Sequence, residues 1–285
     1  MTRLYNSVLA AGVIAAGITT LSAPAKATTY PLTIENCGHS MTFDHAPNRV
    51  VSIGQSNTEI LYLLGLGEKL VGTAVWLGPV QEEFQAINET IPRLADNDPS
   101  FESVVGQKPD LVTVQFQWHV GPNGKVGSLG QFAELSIPVY TAPADCQGKD
   151  NTTGGDGTRI DAFSMDRIYQ TIDDLSQIFD VETRGAELIT RLKTREQAAR
   201  EKVTAIQGRN LSILFWFSSA EIDVDPYVAG AKGAPGYIMS ILGVDNVIKS
   251  NEEWPTVGWE TIARANPDII AIGKMDRRRF PADDW

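Results

Sequence analysis

Short apolar runs rich in β-branched residues alternate with segments of helical spacing along the first half of the chain, which predicts parallel strands joined by crossover helices. A leading hairpin is expected over 31–43, where apolar and polar positions alternate around a glycine. Buried strands are predicted at 49–54, 69–75, 110–116 and 138–142, with helices beginning near Ser56, Ser100 and Ser128. This order of elements is typical of an α/β domain.

A polar, glycine-rich loop is predicted over 145–161, and a long helical region follows from Ser164 to about Ile206. The segment DVET interrupts the helical spacing, so the second part of the region begins at Glu182 and contains about 25 residues. At 1.5 Å per residue this part is roughly 37 Å long, which is the width of a domain. Two interpretations remain open: a stiff connector between two domains, or an ordinary surface helix.

The strand–helix alternation starts again after Gly208, with strands predicted at 211–217, 245–248 and 268–273 and helices at 233–243 and 259–265. The stretch FESVVGQKPDLV, residues 101–112, has a counterpart in WETIARANPDII, residues 259–270. In both, a glutamate follows an aromatic residue, and a Pro-Asp pair comes seven positions later, before a strand. The sequence therefore predicts an α/β protein of two related, Rossmann-like lobes with parallel-rich sheets, each with a helix that starts at the glutamate and leads into the strand after the Pro-Asp pair.

This interpretation divides the chain into a signal peptide (1–27), a first lobe (28–160), a helical region (161–206) and a second lobe (207–285). The signal peptide is indicated by Arg3, by an apolar run of about 15 residues and by small residues before a cleavage site after Ala27. A membrane-spanning helix would need about 20 apolar residues, so we expect export. The second lobe, of about 80 residues, is expected to be incomplete, because parallel-sheet domains usually exceed roughly 100 residues.

Composition and cysteine content narrow the function classes. The formal net charge of −11 argues against a nucleic-acid partner, because neutralising phosphates needs a basic surface. In an oxidising compartment the two cysteines, Cys37 and Cys146, suggest one disulfide, and two buried thiols are the alternative. The sequence contains no nucleophile elbow, P-loop or HExxH pattern, and so offers no recognisable catalytic motif.

Four segments together resemble the helical-backbone substrate-binding proteins of ABC importers, the family of the periplasmic vitamin B12-binding and ferric-siderophore-binding proteins. These segments are NRVVSIGQSNTEILYLLGLGEKLVGT, PSFESVVGQKPDLV, WPTVGWETIARANPDII and the long central helix. The resemblance runs from about Arg49 to the carboxyl end. It implies two lobes joined by a long rigid α-helix, with a ligand cleft between the lobes. It also implies a periplasmic protein that holds a metal chelate in that cleft and delivers it to a membrane permease. We expect a monomer with no intrinsic cofactor and no enzymatic activity.

The resemblance also implies a role for the two repeated glutamates. In the family, the glutamate at this position of each lobe pairs with arginines of the permease. The resemblance therefore implies that Glu102 and Glu260 form the docking pair, and Arg–carboxylate pairing has the directionality that docking needs. The alternative is that the helix dipole and capping alone favour an acid in each first turn.

Ligands of open α/β sheets bind beyond the carboxyl ends of the strands, and the residues at those positions are the predicted ligand contacts. They are Gln55, Ser56, Asn57, Trp76, Asn97, Gln117, Trp118, His119 and Tyr140 in the first lobe, and Trp216, Tyr227, Trp254 and Arg278 in the second. Four tryptophans suit a broad planar or apolar ligand, although tryptophan is also a frequent core residue. Arginine near a strand end favours an anionic ligand, and a solvated charged loop is the alternative.

Direct binding of a bare transition metal needs about four converging side chains, and only His119 of the three histidines is placed to help. We therefore predict that a metal arrives already chelated and that no side chain binds it directly. An iron(III)-siderophore is the first choice, cobalamin the second and haem the third. An exported α/β enzyme is the rival class, and an adhesin or scaffold is a further alternative.

Overall fold

The computed structural model describes residues 27–152, 156–204, 210–219, 221 and 223–273. Its strands are β1 (Leu32–Asn36), β2 (His39–Phe43), β3 (Val50–Ile53), β4 (Leu70–Ala74), β5 (Arg93–Ala95), β6 (Leu111–Val114), β7 (Val139–Thr141), β8 (Lys149–Asp150), β9 (Thr158–Arg159), β10 (Ser212–Ser218), β11 (Tyr227–Val228), β12 (Asp245–Asn246) and β13 (Ile269–Ile272). Its α-helices are α1 (Gln55–Leu63), α2 (Gln85–Asn88), α3 (Phe101–Val105), α4 (Leu129–Glu134), α5 (Pro143–Cys146), α6 (Met165–Ile178), α7 (Glu182–Thr204), α8 (Ala234–Leu242) and α9 (Trp259–Ala265). The predicted signal peptide lies almost wholly outside the described residues.

The first lobe is built on a five-stranded parallel sheet in the order β5-β4-β3-β6-β7. The four predicted strands are confirmed, and their apolar runs are buried: every residue of β3 and of β6 is inaccessible. Strand β5 was not predicted, because its three residues, Arg93 to Ala95, carry no apolar run. The strand order reverses between β3 and β6, and such a switch point is where a crevice opens at the carboxyl edge of a parallel sheet.

The leading hairpin is confirmed, with β1 and β2 antiparallel around Cys37 and Gly38. Its alternation buries Ile34, Met41 and Phe43 against the core of the first lobe. The predicted loop over 145–161 is corrected in part, because β8 and β9 pair there as a small antiparallel hairpin. Strands of two residues are too short to show a period-2 pattern, so periodicity cannot predict them.

The long helical region forms two helices, as the interruption at DVET predicts. Helix α6 buries Ile172, Leu175 and Ile178 in the core of the first lobe. Helix α7 has 23 residues, of which Gly185 and Leu188 are buried. It packs against α6 at one end and against α8 of the second lobe at the other. These contacts with elements on both sides favour the connector interpretation over an ordinary surface helix.

The second sheet is centred on β10, which pairs in parallel with β12 and β13 and antiparallel with β11. Its predicted strands and helices are confirmed, and Gly243 ends α8 in the left-handed conformation. Three isoleucines of β13, Ile269, Ile270 and Ile272, are exposed. In the described part of the chain, no helix has both the length and the apolar character that crossing a membrane requires.

Candidate functional site

The centre of the site is the switch point of the first sheet, where β3 runs into α1. Gly54 has φ 122°, and a Cβ at this position would lie 2.2 Å from Cβ of Gln115. Only a glycine at position 54 therefore lets Gln115, directly after β6, lie so close to the backbone between β3 and α1. In this arrangement the Gln115 side chain accepts from the backbone N–H of Ser56 at 2.9 Å, and the Gln55 side chain accepts from the N–H groups of Leu77 and Gly78. Gln55 and Ser56 thus lie at the carboxyl edge, as predicted.

A cavity of about 810 Å³ opens beside this edge, and we refer to it as the Trp118 cavity. Its wall is formed by three segments: the turn of the leading hairpin at 35–38, the loop after β6 at 117–123, and residues 146–152. Gln117 and Trp118, both predicted ligand contacts, lie in this wall. The half-buried Trp118 ring stacks on His119, with 4.1 Å between ring centroids. The volume of the cavity is in the range of small-molecule sites, and the residues that line the cavity are both polar and aromatic.

Gln117 is held by a polar network that the sequence analysis missed. Its backbone N–H donates to Asp145 Oδ2 at 2.6 Å, and its side-chain oxygen accepts from Asn151 Nδ2 at 2.6 Å. Lys149 Nζ lies 2.7 Å from Asp145 Oδ1 and 3.0 Å from Asp156 Oδ1. The i, i+4 spacing of Asp145 and Lys149 is the one sequence feature that could have indicated this ion pair. The surrounding segment is polar and glycine-rich, however, and such a composition predicts a solvated loop.

The Asp145–Lys149 pair is almost completely buried, with side-chain exposures of 7% and 2%. Burial raises the pKa of Asp145, and Lys149 and the Gln117 N–H counteract that rise. Burial alone would lower the pKa of Lys149, but the two neighbouring carboxylates, Asp145 and Asp156, raise it. A charged pair at this depth needs both partners, because either charge alone would be desolvated without compensation.

Cys37 and Cys146 form a disulfide across 109 positions of the chain, which decides between the bridged and the free-thiol alternatives. The bond joins the turn of the leading hairpin to the end of α5. Both cysteines line the Trp118 cavity. Asn36 supports the same junction, since its side-chain amide exchanges two hydrogen bonds with the backbone of Thr141.

A second cavity, of about 610 Å³, lies further along the same edge and contains Trp76 and Asn97. Trp76 is 3% exposed, and the guanidinium of Arg93 lies 5.4 Å from the centroid of its ring. Asn97 is exposed at the rim. Both residues therefore lie in a concavity at the strand ends, although Trp76 offers a ligand little of its surface.

Three predicted contacts are corrected by the structure, because their side chains are buried. Tyr140 is fully buried and donates to Asp174 Oδ2 at 2.9 Å, so it belongs to the core behind the sheet. His119 is also fully buried, with one ring nitrogen 3.2 Å from Asp98 Oδ1. Asn57 is 1% exposed, and no hydrogen-bond partner for its Nδ2 lies among the described residues. A strand end fixes where a residue lies but not which way its side chain points.

The second lobe contributes an aromatic group on and around β10. Trp216 packs edge-to-face on Trp259 at 5.1 Å, and its ring N–H donates to Ser219. Trp254 packs on Phe217, with 4.4 Å between centroids. Tyr227 is 40% exposed. Arg278 lies outside the described residues. Trp216 therefore packs partly into the core of the second lobe, whereas the Tyr227 side chain is accessible to solvent.

The repeated glutamates occupy equivalent positions. Glu102 lies in the first turn of α3, where Ser100 caps the helix, and Glu260 lies in the first turn of α9. Both side chains are exposed. Within the part of the chain that the structure describes, neither carboxylate is engaged in a hydrogen bond or an ion pair. Because each helix leads into a parallel strand, its first turn lies at the carboxyl edge of its own sheet, the first sheet for α3 and the second for α9.

Such a site can bind a ligand by stacking, hydrogen bonding and shape. Among the described residues, no three His, Cys, Asp or Glu side chains converge in a way that could hold a metal ion. Two aromatic-containing concavities at the carboxyl edge of the first sheet, in a molecule whose lobes are joined by α7, define a small-molecule-binding protein of two α/β lobes.

Comparisons with known proteins agree with this class. The family model described as periplasmic binding protein matches residues 50–283, so the chain belongs to the periplasmic binding protein family. This family consists of transport binding proteins, which excludes the enzyme alternative.

The individual relatives have low sequence identity to this chain, but they align with most of its length. An uncharacterized ABC transporter substrate-binding lipoprotein of Bacillus subtilis is 23% identical over 86% of this chain and 70% of its own length. The vitamin B12-binding protein of Pectobacterium atrosepticum is 24% identical over 80% of this chain and 72% of its own. The structure of an ABC-type Fe3+-hydroxamate transport system from Saccharomonospora viridis superimposes with a TM-score of 0.66 at 24% identity, covering 86% of this chain and 80% of that one.

Proposed function

We propose that the protein captures an iron(III)-siderophore or a similar metal chelate after export and delivers it to the permease of an ABC importer. The observation that supports this most is the Trp118 cavity, which combines a half-buried indole with amide and carboxylate side chains at the carboxyl edge of the sheet. A chelated metal brings its own ligands. The site then needs aromatic and hydrogen-bonding groups but no metal-ligating cluster.

The ligands named for the relatives limit the candidate ligands for this site. One structural neighbour is named for Fe3+-hydroxamate, and one relative for vitamin B12. Both ligands are metal chelates with large organic frames, so they share apolar surface with polar groups around it. Cobalamin, and after it haem, are the alternatives for the same site.

Glu102 and Glu260 are proposed as the permease-docking pair. The support is their equivalent placement, their exposure and the absence of a competing partner among the described residues. Two exposed carboxylates on one rigid body, one on each lobe, match a two-fold permease that presents arginines.

A thermal-shift screen of the mature protein tests the ligand class. The panel is a ferric hydroxamate, a ferric catecholate, cyanocobalamin and haemin, each beside its metal-free form where one exists. A ligand at about 100 times its Kd stabilises the native state by about 2.7 kcal/mol, which is a rise of several degrees in Tm. A rise with a ferric siderophore alone supports the proposal. A rise only with cobalamin or haemin reassigns the ligand, and no rise with any compound rejects this ligand class.

A further inference from the structure

Besides α7, a second connection joins the lobes, through the hairpin of β8 and β9. Arg159, at the end of β9, places its guanidinium Nε 3.1 Å from Oε2 of Glu253 in the second lobe. The side chains of this ion pair are 8% and 19% exposed, so it is largely removed from water. An ion pair at this depth is screened far less than one on the surface.

The contact extends beyond the two charges. Lys232 Nζ donates to the backbone oxygen of Arg159 at 3.3 Å, and the N–H of Phe163 donates to the backbone oxygen of Lys232 at 2.7 Å. In the second lobe, the segment 230–232 is itself joined to the segment 250–253 by backbone hydrogen bonds. Arg159 therefore contacts two segments of the second lobe that are hydrogen-bonded to each other.

The other end of the hairpin is fixed to the first lobe. The buried Lys149–Asp145 pair and the Cys37–Cys146 disulfide lie at its start. Arg159 also donates through Nη2 to the backbone oxygen of Ala144 at 3.1 Å. These contacts tie the hairpin to a rigid base, so that movement at Arg159 would be transmitted to that base.

The same hairpin touches the wall of the Trp118 cavity. Asn151, directly after β8, donates to the side-chain oxygen of Gln117 at 2.6 Å. On the opposite side, Glu253 immediately precedes Trp254, which packs on Phe217. A continuous set of contacts therefore runs from Gln117 in the first lobe to Trp254 in the second.

From these contacts we infer that the β8–β9 hairpin is an interlobe strut and that Arg159 and Glu253 are positioning residues for the ligand. The ion pair fixes the distance and the angle between the Gln117–Trp118 wall and the Trp254 segment. The α7 helix sets the overall spacing of the lobes, and the strut restricts the rotation that a single helix would allow. The effect on ligand affinity rests on the proposed function, whereas the effect on lobe geometry does not.

Double electron–electron resonance on the mature protein tests the inference. Glu134 in α4 and Arg264 in α9, both exposed, are replaced by p-acetylphenylalanine, which carries a spin label without using the cysteines. The variants are Arg159→Glu, Glu253→Arg, the combined charge exchange, and the milder Glu253→Gln. Lys249→Glu is the matched control, because it removes an exposed ion pair with Asp245 inside one lobe.

We expect each single substitution to broaden the interlobe distance distribution and the charge exchange to narrow it again. Lys249→Glu should leave the distribution unchanged. If Arg159→Glu and Glu253→Gln both give the distribution of the parent and the control, the strut is rejected.

Ligand titrations of the same variants form the second arm. Wherever the parent binds a ferric siderophore, Arg159→Glu should weaken affinity by about tenfold, with recovery in the charge exchange. Unchanged affinity in Arg159→Glu would overturn the positioning role. If the parent binds no compound of the panel, the proposed function fails, and the distance distributions alone decide on the strut.

Discussion

Lys149 Nζ lies 2.7 Å from Asp145 Oδ1, both side chains are buried, and Lys149 forms part of the wall of the Trp118 cavity. The relationship matters because Asp145 also accepts from the backbone N–H of Gln117. The charged pair therefore stabilises the fold and at the same time orients a residue of the candidate site. Stability and ligand affinity should respond together when it is broken.

Replacing Lys149 by Met leaves the Asp145 carboxylate buried without its partner. We expect a loss of about 3–5 kcal/mol in the free energy of unfolding at pH 7, measured by urea denaturation. Asp156→Asn is the control, because Asp156 is 62% exposed and its pair with Lys149 should contribute less than about 1 kcal/mol. Equal losses in the two variants would contradict the assigned role of the buried pair.

Asp174 gives a pH-dependent prediction. Burial raises its pKa to about 6, the hydrogen bond from Tyr140 opposes that rise, and the neighbouring Asp173 adds to it. Because the folded-state pKa is above the ordinary value, the folded state gains stability as pH falls from above 6 towards 4. Asp174→Asn removes the cost of the buried charge, so it should raise stability above pH 7 by about 1 kcal/mol after discounting for solvent screening.

The measurement is urea denaturation of the parent and Asp174→Asn at pH 4 and pH 8. The two proteins should differ at pH 8 and converge at pH 4. Asp173→Asn, on the exposed side of the same helix turn, is the control and should show a smaller pH-dependent difference. A stability difference that is constant across this pH range would show that the Asp174 carboxyl does not titrate as described.

The disulfide should contribute about 2–4 kcal/mol, since it closes a long loop of the unfolded chain. Cys37→Ser is expected to lower the free energy of unfolding by that amount in guanidinium denaturation. The parent under reducing conditions is the matched control and should lose a similar amount. Two titratable thiols in the native oxidised protein would contradict the bond itself.

The docking proposal predicts a separation of binding from transport. Glu102→Arg combined with Glu260→Arg should abolish uptake in proteoliposomes that contain the cognate permease, because two attractive contacts become repulsive. Ligand affinity should stay within about twofold of the parent, as both side chains are exposed and line neither of the two cavities. Glu134→Arg is an exposed control that should leave uptake intact. Retained uptake in the double variant would remove these glutamates from the docking surface.

Most of the fold was predictable from periodicity, and the outcome at single residues explains why. The strands β3 and β6 were predictable because strands buried on both faces are nearly continuous apolar runs, here with Ser52 and Thr113 as their polar residues. The repeat around Glu102 and Glu260 predicted two equivalent helices, which α3 and α9 confirm. Strand β5 and the β8–β9 hairpin were missed, because pairing with a neighbour rather than hydrophobicity holds such short segments.

The candidate site was predictable only as a location. Gln55, Gln117 and Trp118 lie at the carboxyl edge as expected, because topology alone dictates that edge. The positions of Tyr140 and His119 required knowledge of side-chain direction, which sequence does not provide. The support for Gln117 comes from Asp145, Lys149 and Asn151, whose burial depends on a fold around them that no local pattern reveals.

Binding of a metal chelate at the Trp118 cavity is tested by titrating the chain from residue 28 onwards with a ferric siderophore and following tryptophan fluorescence. We predict saturable quenching with one equivalent and a Kd in the micromolar range or below. Trp118→Ala should weaken binding by about 1–3 kcal/mol, whereas Trp259→Phe, at a partly buried position packed against the core of the second lobe, should not. Absence of saturable binding to any ferric siderophore, or equal affinity in Trp118→Ala, would contradict the claim.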